Sequence, residues 1–213
     1  MKRTLGLTLL LFATLFSCMR QEKPLPAELS RAESVMWEHP DSALSILRSM
    51  PQSSLSSGKN YATWALLLAQ ARDKVYGKRL PDSLNIPSSD KLVQDAMDYF
   101  EKEGNLKRMA QTYYYKGQLL KDQKKITEAM PFFLKSKEMM TTLDEPLFTY
   151  LICQSLGNTY RYQDLYEESL VQLKDAYYDQ EMENGYLMLY RSWEELMCIK
   201  MKWIVPCSIL VNH

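Results

Sequence analysis

Residues 110–177 line up with themselves at an offset of about 40 residues, which confines the chain to folds built by stacking one unit on its copy. Gly117 falls on Gly157, Gln123 on Gln163, Glu128 on Glu168, Leu120 on Tyr160, Ala129 on Ser169, Phe133 on Leu173 and Ser136 on Ala176. Small residues recur where paired helices must approach closely, and large apolar or aromatic ones recur where they fill the space between. Such a unit cannot bury its apolar face alone, so its neighbours complete the core.

Apolar residues at helical spacing predict where the hairpins lie. Leu29, Ala32, Val35 and Met36 mark a first helix, stopped at His39-Pro40 because a residue preceding proline is driven out of helical geometry. Pro40 and Asp41 suit the first turn of the next helix, whose stripe of Ala43, Leu44, Leu47 and Met50 runs to Pro51. After a serine-rich connection, helices are expected over 61–75 and 89–103, the second stopping at Gly104-Asn105, with a loop over 76–88 that contains Gly77, Pro81 and Pro87. The repeats then require helices over 106–122, 126–140, 147–162 and 166–181, with Pro146 placed to open the third of these. The connection 123–125 is short enough to force antiparallel packing. A further amphipathic helix is expected from 186 to about 202, without a partner, followed by an apolar tail over 203–213.

Tyr113, Gly117, Leu120, Ala129, Phe133 and Ser136, with the copy Leu156-Gly157, Tyr160, Ser169, Leu173 and Ala176, resemble the tetratricopeptide signature. The copies diverge from it, since Lys116 replaces the usual leucine before glycine and neither carries the closing proline. The resemblance implies an all-α, antiparallel helix-hairpin solenoid over residues 28–202; with no polar-faced capping helix after it, the array reads as truncated at its C-terminus. In that family the first helix of each repeat lines a concave groove. Carried over position by position, the resemblance implies that Gln111, Tyr114, Gln118, Lys121 and Asp122 face the groove in one repeat, and Leu151, Gln154, Asn158, Arg161 and Tyr162 in the next. Amides can pair with an extended main chain, Lys121 and Arg161 can meet carboxylates, and tyrosines offer contact area at low entropic cost. The bound partner is then a protein or peptide segment.

The first residues read as an address. Lys2 and Arg3 precede an apolar run from 5 to 16, and Leu15-Phe16-Ser17-Cys18 resembles the lipobox of bacterial lipoproteins. A run of about a dozen apolar residues is short of the roughly 20 that span a bilayer. The resemblance implies a signal peptide over 1–17, a lipidated Cys18, and a tether over 18–27 in which Pro24 and Pro26 favour extended chain. More than one acyl chain anchors stably, because each buried methylene contributes roughly 0.8 kcal/mol. Met19 stands where an aspartate resembles an inner-membrane retention signal, and 20–23 lack the acidic pair resembling a surface-export signal of Bacteroidetes lipoproteins. The expected address is the cell envelope, on the periplasmic side of the outer membrane.

Composition narrows the function further. Lys plus Arg and Asp plus Glu both number 26, which argues against nucleic acid as a partner. The four cysteines form no C-x-x-C pair and the histidines lie far from them, so no metal and no cofactor are expected. Gly58-Lys59-Asn60 lacks the first glycine and the hydroxyl residue of a phosphate loop, and no catalytic motif is present. The leading expectation is a lipid-anchored adaptor. One alternative is a sensory module, since the chain resembles Bacteroidetes repeat proteins that continue into signalling output domains; an enzyme finds little support in the residues.

Overall fold

A computed structural model describes residues 24–76, 89–143 and 145–181, the last six by backbone alone. The expected signal peptide, Cys18, most of the tether, the 77–88 loop, the helix over 186–202 and the tail over 203–213 lie outside these residues. The described residues are helical and contain no strand. In chain order they form α1 (Ala27–Val35), α2 (Pro40–Ser49), α3 (Gly58–Tyr76), α4 (Ser89–Glu103), α5 (Leu106–Asp122), α6 (Ile126–Met140), α7 (Pro146–Arg161) and α8 (Tyr166–Glu181), with a short 3-10 turn at Gln52–Leu55. No described helix is long and apolar enough to cross a membrane.

Local chemistry sets most boundaries. Pro40 and Pro146 occupy the first turns of α2 and α7, where a missing N–H costs nothing. Asn105 caps α5 by accepting from the Arg108 N–H at 3.0 Å, just after Gly104 ends α4 at φ 77°. The expected start of α3 at Tyr61 is corrected to Gly58, because the Ser57 hydroxyl accepts from the Asn60 N–H at 3.1 Å and nucleates the first turn earlier. Pro131 lies on the exposed side of α6, where water can take up the carbonyl it leaves free one turn back.

Each helix packs on the next, and α1, α3, α5 and α7 also touch in succession, which makes them one layer and the even-numbered helices the other. Burial differs accordingly. On α4 the buried side chains Leu92, Val93, Ala96 and Phe100 form one stripe, as do Ala129, Phe133, Ser136 and Met140 on α6. On α3 every residue from 62 to 72 is buried, and on α5 every residue from 110 to 115. Inside the odd layer α3 and α5 are covered by their hairpin partners and by neighbours on both flanks, so they have little free face.

The repeat pairs meet as their alignment requires. A Cβ on Gly117 would lie 2.6 Å from the Phe133 ring, and one on Gly157 would lie 2.6 Å from Leu173 Cγ. Each glycine therefore admits the large residue of its own hairpin partner. Gly58 plays the same part for α3, with the Tyr99 ring 2.9 Å from where its Cβ would stand. Both repeat turns end in the same motif: Lys125 N–H reaches the Leu120 carbonyl at 2.9 Å, and Leu165 N–H reaches Tyr160 at 3.0 Å. Lys124 and Asp164 sit between at φ 61° and 59°, the left-handed position of a Schellman end. Lys116 lies 3.6 Å from Asp90 on α4, which gives its charge a partner at the helix interface.

Candidate functional site

The odd-layer helices run side by side, so their C-terminal ends come together. There they enclose a cleft of about 570 Å³. Asp73 enters it from α3, Gln118, Lys121 and Asp122 from the last turns of α5, Lys124 from the following turn, Ile126 from the start of α6, and Asn158, Arg161 and Tyr162 from the end of α7. Six of the residues expected on the groove, Gln118, Lys121, Asp122, Asn158, Arg161 and Tyr162, therefore share one concavity.

The remaining expected residues are elsewhere. Gln111 is buried and accepts from Arg108 Nη1 at 3.1 Å, while Arg108 Nη2 donates to Glu33 of α1 at 2.7 Å. It belongs to a strut between α1 and α5. Tyr114, expected to offer contact area, is only 4% exposed; its ring meets Phe148 edge-on at 5.1 Å and also abuts Tyr115 and Phe133. Burial pushes its phenol up to about 12, against the opposing hydrogen bonds of Ser155 and Gln118. Gln154 donates to the Tyr150 hydroxyl at 3.2 Å and, like Leu151, does not line the cleft. Cys153 on α7 is fully buried.

Sequence reasoning missed Asp73, Lys124 and Ile126. Lys124 was legible only as part of the short 123–125 connection, whose position over the cleft was not. Asp73 carried no clear signal: it follows Gln70 and Arg72 at the polar end of α3, outside the repeat.

The cleft mixes charges. Burial raises the Asp73 carboxyl above its usual range, Asp122 pushes in the same direction, and Lys121 and Lys74 oppose. Arg161 Nη2 donates to Asn158 Oδ1 at 3.2 Å, which holds the two side chains of α7 together. Gln118 Nε2 donates to the Tyr114 hydroxyl at 2.6 Å, whereas its Oε1 is buried with no hydrogen-bond partner among the described residues. A buried acceptor left so is costly, and turning the amide over would only exchange which end is unmatched. Tyr162 stands 61% exposed at the rim.

The arrangement offers hydrogen bonding, charge and an aromatic edge for a bound chain. Among the described residues there is no group of three or more His, Cys, Asp or Glu side chains that could hold a metal ion. The chain matches no protein-family model, no curated protein and no solved structure.

Proposed function

We propose that this chain is a lipid-anchored adaptor of the cell envelope that holds an extended peptide segment of a protein partner in the cleft across the ends of α3, α5 and α7. The hairpins act as a tetratricopeptide-like solenoid, and Cys18 ties it to the periplasmic side of the outer membrane. The observation that carries the reading is the shared cleft, which gathers Gln118 and Lys121 from one repeat with Asn158, Arg161 and Tyr162 from the next. Its chemistry suits a main chain: Asn158 brings an amide and Arg161 a guanidinium to the cleft wall, and the exposed Tyr162 supplies a face for a side chain.

The test uses the mature lipoprotein in its own membranes. Replacing Asn158 and Arg161 together with alanine should abolish crosslinking to the partner while leaving the thermal melt within a degree or so of wild type, as expected where substitutions lie outside the packed core. Undiminished crosslinking, or loss of the fold, would overturn the reading. Cys18→Ser should move the chain out of the membrane fraction; a variant that stays there would remove the lipid anchor from the proposal.

A further inference from the structure

The face of α5 that receives α7 recurs on α7 itself. On α5 it carries Lys107, whose ammonium pairs with Glu145 just before α7, and Tyr114, which meets the Phe148 ring and the Ser155 hydroxyl. Forty residues on, the same face of α7 carries Leu147, 45% exposed, and Gln154, with Tyr150 between them. Tyr150 and Cys153, with Leu151 against them, form a small apolar cluster separate from the main core. Among the described residues α5 packs on one flank of α7 and no helix packs on the other.

We propose that residues 187–202, which lie outside the described residues, dock along this open flank as the next helix of the odd layer. Two observations on register select that occupant. α8 ends at Glu181, 41 residues after α6 ends at Met140, so a connection of the same five residues as 141–145 opens the next helix at 187. On α7, Phe148 and Ser155 meet Tyr114, with Ile152 between them on the same face; the 41-residue offset carries these three onto Leu189, Trp193 and Leu196. It also carries Glu145 onto Tyr186, which comes opposite Leu147 where Glu145 stands opposite Lys107. An ion pair becomes an apolar contact, and both of its members have changed together. A second copy of the chain has no reason to keep this register, which follows from the length of one chain's own connection. Docking buries the exposed Leu147 and gives α7 the two covered flanks that α3 and α5 have.

The full lipoprotein in detergent micelles, with Cys153, Cys198 and Cys207 replaced by alanine, tests this with a short bis-maleimide. Gln154→Cys paired with Leu189→Cys should be linked within one chain at least roughly 10-fold faster than Gln154→Cys paired with Arg191→Cys, because docking turns position 189 toward α7 and position 191 away. Equal rates for the two pairs, or no link in either, overturn the docking. So do links formed mainly between chains, the mark of a second copy on this flank. Should the cysteine variants fail to fold, a charge pair decides. Leu147→Lys and Tyr186→Glu should each lower the melting temperature by roughly 2–4 °C. Together they should regain most of that loss, because they rebuild the Lys107–Glu145 contact one repeat on. Losses that simply add overturn the docking as well.

Discussion

The hairpins α5–α6 and α7–α8 share a frame and differ in how it is locked. In both, a glycine on the first helix receives a large side chain from the second, and the turn between them holds a left-handed residue at the same position. The polar locks have moved. In the first hairpin Ser136 Oγ donates to the Ala110 carbonyl at 2.7 Å, near the start of α5; in the second Ser169 Oγ donates to the Gly157 carbonyl at 2.8 Å, at the glycine crossing itself. The Tyr–Gln pair spaced by four residues has slipped too, from Tyr114 and Gln118 on α5 to Tyr150 and Gln154 on α7. Close backbone approach tolerates no substitute for a missing Cβ, whereas a buried hydrogen bond can be made at any point where donor and acceptor meet. The frame is therefore constrained by position and the locks only by presence.

The largest expected break in this equivalence is at the glycines. Phe133 is rigid and fully buried, while Leu173 is half-buried and can turn aside. Gly117→Leu should accordingly cost about 3 kcal/mol or more and Gly157→Leu about 1–3 kcal/mol, read from urea midpoints at unchanged slope. Equal midpoints would mean that the stiffness of the partner does not matter. Next come the serines: Ser136→Ala and Ser169→Ala should each lose about 1 kcal/mol, and the double variant should lose their sum if the locks are independent. A coupling beyond about 0.5 kcal/mol would show that the hairpins stiffen one another. The smallest effect lies at the turns. Lysine resists the left-handed region more than aspartate, so Lys124→Gly should raise stability by up to about 1 kcal/mol and Asp164→Gly by less, measured as melting temperatures. The reverse order would show that the two turns carry different strain.

Helix bounds were legible wherever a cap, a proline or a glycine marks them. The ranges expected for α4, α5, α6 and α8 coincide with those observed, and α7 lies one residue early at both ends, at Pro146–Arg161. The stripe of α6 was legible as well, since one face of that helix meets the core. The burial of α5 was not. Tyr113, Tyr114 and Tyr115 are all buried, and no periodicity assigns three consecutive tyrosines to a core. This is why Tyr114 and Gln111 read as groove residues and prove to be packing ones. The cleft was half legible: its α5 and α7 walls follow from the repeat, but Asp73 comes from outside it, on a helix the self-alignment does not cover.

The sequence by itself determined the helical hairpins, their antiparallel pairing and the fit of Gly117 to Phe133 and Gly157 to Leu173, because these depend on residues a few turns apart and on backbone chemistry each residue carries with it. Only the tertiary structure decided which faces of the odd-numbered helices vanish between neighbours and which side chains meet at their ends. Stacking brings Asp73, Lys121 and Arg161 to one place, and the angle at which one hairpin lies on another is a property of the packed layers that no single stretch encodes.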